Sequence, residues 1–148
     1  MKMRTTIFVA LLMLFHFAAL AQSHDDFAGE WVGYITQKPA GLAARYDFAL
    51  TMELSDSGIT GEARISLENN ADIFGTMYIR GEFGKYFATV NELEITSQNM
   101  YSYAYWCMKE YYLKIIEVNG LFIIEGEWNS NRCGDANSGK IHLERRLS

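Results

Sequence analysis

The run Glu110-Tyr-Tyr-Leu-Lys-Ile-Ile-Glu-Val-Asn-Gly-Leu-Phe-Ile-Ile-Glu-Gly-Glu-Trp128 decides the fold. It consists of two β-prone segments joined by Asn119-Gly120, and Asn-Gly is the strongest short hairpin signal because a type I′ turn needs positive φ at both central residues. A two-residue turn there sets the register: Tyr111 faces Trp128, Lys114 faces Glu125 and Ile115 faces Ile124. One face then reads Tyr111, Leu113, Ile115, Phe122, Ile124 and Trp128, and belongs inside. The other carries Tyr112, Lys114, Ile116, Val118, Leu121, Ile123, Glu125 and Glu127, a mixed face whose cross-strand Lys-Glu pair suits water. The same register sets Cys107 opposite Arg132, one residue from Cys133, so a bulge or relaxed loop would let the two cysteines meet.

Outward from the hairpin, apolar residues recur with a period of two. Gly29-Glu-Trp-Val-Gly-Tyr-Ile-Thr36 reads as the first strand. Residues 37–44 follow as a loop containing Pro39, long enough for a lid or for a plain turn with Leu42 tucked against the rim. Tyr46, Phe48, Leu50, Met52 and Leu54 make the next inner face, and Asp56-Ser57-Gly58 turns the chain into Ile59, Gly61, Ala63, Ile65 and Leu67. After a polar break at residues 68–72 come Gly75, Met77, Ile79, Gly81 and Phe83, whose glycines leave room for a bend, a neighbouring ring or a ligand. Residues 87–95 read as a strand with Leu93 and Ile95 inside and Glu92 and Glu94 outside. Residues 100–108 are the densest aromatic run, with Tyr101, Tyr103, Tyr105 and Cys107 on one side and Trp106 on the other. A polar loop, residues 129–139, leads from the hairpin to a last strand at 140–147.

Eight short strands with hairpin-sized links describe an all-β, antiparallel up-and-down meander, which removes its edges by closing into a barrel. A β-sandwich is the alternative. Gly29-Glu30-Trp31, Gly61-Glu62-Ala63, Gly81-Glu82-Phe83 and Gly126-Glu127-Trp128 recur as a strand-and-corner device: glycine for the bend, an outward acid, an inward apolar residue. No stretch shows a helical apolar period.

Residues 1–21 are expected to be a signal peptide rather than part of the fold, with Lys2 and Arg4 as the charged head and an apolar core from Ile7 to Leu20. Ala19-Leu20-Ala21 is the small-x-small cleavage site; the apolar run is shorter than the roughly 20 residues of a spanning helix, so no stable membrane span is expected. Losing Lys2 and Arg4 takes Lys plus Arg from 13 to 11 against 18 acids, a net charge of −7 for residues 22–148, which form one barrel domain. Such an acidic chain lacks the basic surface that phosphate contacts require, which excludes nucleic acid as a partner. Cys107 and Cys133 are the only cysteines, and in an exported chain they are expected to form a disulfide. The histidines, His16, His24 and His142, assemble neither a Cys/His dyad nor a zinc set, so no metal or cofactor is expected.

Gly29-Glu30-Trp31 matches the G-x-W that opens the first strand of lipocalins, and Arg145 or Arg146 stands in the last strand, where lipocalins place an arginine over that tryptophan. On these residues the chain resembles the lipocalin-like and avidin-like secreted barrels. The resemblance implies a cup closed at the Trp31 end with a ligand mouth at the other.

Two function classes follow. In one, Tyr46, Phe48, Met77, Phe83, Tyr101, Tyr103 and Tyr105, backed by Tyr111 and Trp128, line a pocket for an apolar or amphipathic small molecule, unless these rings simply fill a solid core. In the other, the exterior tyrosine run and the Pro39 loop meet a protein or glycan partner. Catalysis ranks below both: nothing in the spacing of Asp47, Glu53, Glu62 and Glu82 singles out a carboxylate pair.

Overall fold

A computed structural model describes residues 24–38, 41–135 and 137–147. The expected signal peptide and Pro39 lie outside the described residues. A 3-10 turn, His24–Phe27, precedes β1 (Gly29–Thr36), β2 (Arg45–Ser55), β3 (Gly58–Leu67), β4 (Asn70–Phe83), β5 (Ala88–Asn99), β6 (Glu110–Val118), β7 (Leu121–Asn129) and β8 (Ser138–Arg145). Each strand pairs antiparallel with the next, and β1 also pairs with β8, so the sheet is a closed up-and-down barrel rather than a sandwich.

The β6–β7 hairpin has the expected register, Tyr111 with Trp128, Lys114 with Glu125 and Ile115 with Ile124. Asn119 (φ 53°) and Gly120 (φ 78°) both take the left-handed conformation that the turn requires. Tyr111, Leu113, Ile115, Ile124 and Trp128 are buried, and Phe122 packs partly against them. The inner faces of β2, β3 and β4 add Tyr46, Phe48, Leu50, Met52, Ile59, Ala63, Ile65, Met77 and Ile79 to one continuous core. Removing a side chain of this size from water contributes about 1.5–3 kcal/mol each, an ample drive for closure.

At the lower end, where β1 begins, Trp31 is fully buried and donates its indole N–H to the Phe27 carbonyl at 3.0 Å. The Arg145 guanidinium lies 4.7 Å from the Trp31 ring centroid and hydrogen-bonds the Asp26 carbonyl. Arg146 points elsewhere and pairs with Glu30. Of the two candidate arginines, Arg145 therefore covers the tryptophan.

Two local expectations fail. The polar break at residues 68–72 shrinks to a two-residue turn, because β4 already begins at Asn70 and buries Ile73. On β5, Leu93 is 51% exposed whereas Glu92 is only 5% exposed, the reverse of the alternation read from the sequence. The cause is a bulge: Ile79 pairs with Glu92 and the adjacent Tyr78 with Glu94, so Leu93 is the extra residue and the inside-outside parity slips at that point. Ala88, Val90 and Glu92 face inward below the slip, and Ile95 packs against the core above it.

The inward glycines are occupied by neighbours, not by empty space. A Cβ on Gly75 would come within 2.8 Å of the Trp106 ring, and one on Gly81 within 2.5 Å of the Thr89 carbonyl.

Candidate functional site

β5 and β6 pair only from Ala88–Leu113 to Asn91–Glu110. Above that level the two strands separate, and residues 100–109 cross the upper end of the barrel as irregular chain rather than as the extended run the alternation implied. Trp106 descends from this segment. It is 7% exposed, seats against Gly75, and meets Tyr46 edge-on at 5.9 Å between centroids. Its indole nitrogen is buried and has no hydrogen-bond partner among the described residues.

Two staples hold the plug. Cys107 bonds to Cys133 in the β7–β8 loop, with a Cα–Cα distance of 5.3 Å. Lys109 is fastened to Glu92 through both backbone and side chain: its N–H donates to Glu92 Oε2 at 2.8 Å, its carbonyl accepts from the Glu92 N–H at 3.0 Å, and its ammonium lies 3.6 Å from Oε2. The same ammonium donates to the Cys107 carbonyl at 2.9 Å and sits 5.7 Å from the Trp128 ring centroid. The other Glu92 oxygen accepts the Tyr111 hydroxyl.

Burial pushes the Glu92 carboxyl above its ordinary range, while the Lys109 charge and hydrogen bonds pull it back. A buried carboxylate so perturbed is a natural suspect for proton chemistry. Here both of its oxygens accept donors from the barrel and the plug, so the arrangement anchors residues 100–109. The sequence reading placed Glu92 on the outer face and did not single out Lys109. The one available signal was a charged residue between Val90 and Ile95 on an otherwise apolar inner face.

Of the seven residues read as a ligand pocket, only Tyr46, Tyr103 and Tyr105 share a concavity. Tyr46, Phe48 and Met77 lie in the closed core, with Phe48 edge-on to Tyr111 at 5.5 Å. Phe83 ends β4 at the opposite pole of the barrel, stacked on His24 at 4.1 Å and tilted against Phe27 at 5.5 Å. Tyr101, Tyr103 and Tyr105 lie outside the plug, the first two stacked on each other at 5.4 Å. They are separated because Trp106 occupies the mouth through which rim and interior would communicate.

What remains at the upper end is a cleft of about 280 Å³ above the plug. Leu42, Tyr46, Ile65, Met100, Tyr103 and Tyr105 contribute to its walls, with Trp106 and the disulfide among its lining. The Tyr46 hydroxyl accepts the Ala43 N–H at 3.1 Å and so ties the β1–β2 loop to the barrel. Burial holds that phenol above its usual range, against backbone hydrogen bonds that act to lower it.

The class defined by fold and site is an eight-stranded, closed, antiparallel up-and-down barrel compatible with a calycin-like fold. Compared with family models, with curated proteins and with solved structures, the chain gives no significant match. Among the described residues no helix is long and apolar enough to cross a membrane.

Proposed function

We propose that this chain is an exported, non-catalytic barrel of the lipocalin-like and avidin-like kind, which binds one apolar or amphipathic small molecule in the cleft at its plugged end. The observation that carries the reading is the gathering of Tyr103 (77% exposed), Tyr105 (69%) and Leu42 (40%) around one concavity above a buried indole. Large side chains held together in water at one end of an acidic molecule mark a surface that something covers. A 280 Å³ cleft suits a single ring or a short alkyl chain, and phenols supply an apolar face with a polar tip. Export rests on the charged head, apolar core and cleavage site of residues 1–21, together with the paired cysteines.

A second reading, docking of a protein or glycan, draws on Tyr101, whose ring stacks parallel to that of Tyr103 and extends the aromatic surface beyond the cleft. The two readings separate in one experiment. An environment-sensitive apolar dye should bind the folded protein one-to-one, and combining Leu42→Ser with Tyr105→Ala should weaken it by about tenfold, or ~1.4 kcal/mol, with no change in Tm. Absence of saturable dye binding to folded protein rejects the small-molecule reading. Native mass spectrometry of protein purified from its own host would then identify any molecule carried along.

A further inference from the structure

The outer wall carries a second concavity, of about 510 Å³, at the seam where β5 and β6 part. Register builds its floor. Arg80 pairs with Asn91, Asn91 with Glu110 and Glu110 with Asn129, so four outward polar side chains stand at one level on β4, β5, β6 and β7. With strands about 4.8 Å apart, this row runs for about 14 Å. Asn131 and Arg132, from the β7–β8 loop, line the same groove. That loop is held in place by the Cys107–Cys133 bond and by the Ser130 hydroxyl, which donates to the Met108 carbonyl at 2.5 Å.

The arginines identify the ligand chemistry. Six lie among the described residues, and four have partners: Arg45 with Glu68 and the Tyr34 ring, Arg64 with Thr76 and the Phe74 ring, Arg145 with Trp31 and the Asp26 carbonyl, Arg146 with Glu30. Arg80 and Arg132 are exposed, have no carboxylate, ring or side-chain hydrogen-bond partner among the described residues, and both line this groove. The two acids that line the groove are already engaged: Glu110 accepts the Tyr112 hydroxyl, and Glu92, beneath, accepts Lys109 and Tyr111. The groove therefore offers guanidinium donors and the amide groups of Asn91 and Asn131 to an acceptor-rich guest. Arginine's planar fork matches a carboxylate or phosphate with two parallel hydrogen bonds, and asparagine both donates to and accepts from hydroxyls.

We propose that the β5–β6 seam is a second binding site, distinct from the rim cleft, for a polyhydroxylated oxyanion: a sugar bearing a carboxylate or a phosphate. The test is a titration of the disulfide-bonded protein with digalacturonate, glucose 1-phosphate and cellobiose, followed by ¹H–¹⁵N NMR. Saturable shifts at Arg80, Asn91 and Arg132 with at least one acidic sugar, weakened by added salt, support the site, and which acid binds names its source. Arg80→Gln and Arg132→Gln should each weaken that binding about tenfold. Equal binding of cellobiose overturns the oxyanion assignment, and no saturable shift with either acidic sugar overturns the site. Dye binding at the rim should be unchanged in both variants, so failure here and failure of the rim reading remain distinguishable.

Discussion

Glu92 and Lys109 form a charge pair within the barrel wall, with side chains 0% and 4% exposed respectively. Taking two ions out of water is expensive, and their attraction makes up for it only while both are present; removing one partner of such a pair typically costs about 3–5 kcal/mol. Lys109→Met should therefore destabilise the fold by that amount at neutral pH, and by less near pH 4, where a lone Glu92 takes up a proton. The sign for the wild type follows from the upward displacement of the Glu92 pKa from 4.5. The folded state holds a proton that the unfolded chain has already released, so this group's contribution is fullest below pH 4.5 and declines as pH rises through the raised value. Glu92→Gln should flatten that decline, as read by urea unfolding at pH 4, 6 and 8; parallel wild-type and variant curves would contradict it. Trp31 makes the other residue-scale prediction. Fully buried beneath the Arg145 guanidinium, it should cost about 3–5 kcal/mol on truncation to alanine, measured by the same denaturation.

At the scale of elements, the hairpin was legible because its determinants are local: an Asn-Gly turn and side chains of fixed parity on either side. Substituting valine at Gly120, where φ is 78°, should cost about 1–2 kcal/mol for forcing a side chain into the left-handed region, with the loss seen as a lower unfolding midpoint. β5 was misread at Glu92 and Leu93, though not at Glu94 and Ile95, because one inserted residue, Leu93, reverses parity, and its presence depends on pairing with β4 rather than on β5's own composition. Residues 100–108 were misread for a related reason: alternation has meaning only in a strand, and among the described residues they have none of the pairing that would make one. The cleft was legible only in part: Tyr46, Tyr103 and Tyr105 were read as pocket residues and Leu42 as a rim residue, but not the way they assemble. Leu42, Ile65 and Tyr105 come from separate parts of the chain, and only closure of the barrel brings them to one end. Conversely, the arginine over Trp31 was narrowed to two neighbours by sequence, and only their alternation across β8 and beyond its end separates Arg145 from Arg146.

The barrel as a whole is a ring of pairings, and a ring opens where its pairing is shortest. β5 and β6 share four paired positions, against nine between β6 and β7. The Glu92–Lys109 contact continues that seam upward, and the disulfide ties its far side to the β7–β8 loop. Partial opening should therefore begin at the seam, with β2, β3 and β4 remaining paired. Native-state hydrogen exchange should find the amides of residues 88–91 and 110–113 less protected than those at the centres of β2 and β3. Reducing Cys107–Cys133 removes the restraint on the plug and should lower global stability by about 3 kcal/mol on loop-entropy grounds, while leaving unfolding cooperative. It should also accelerate exchange at the seam selectively and abolish dye binding at the rim, because the cleft is built on the segment the disulfide holds. Equal acceleration in β2 and β3 would mean that the molecule opens only globally, and that the bond stabilises the barrel without governing its upper end.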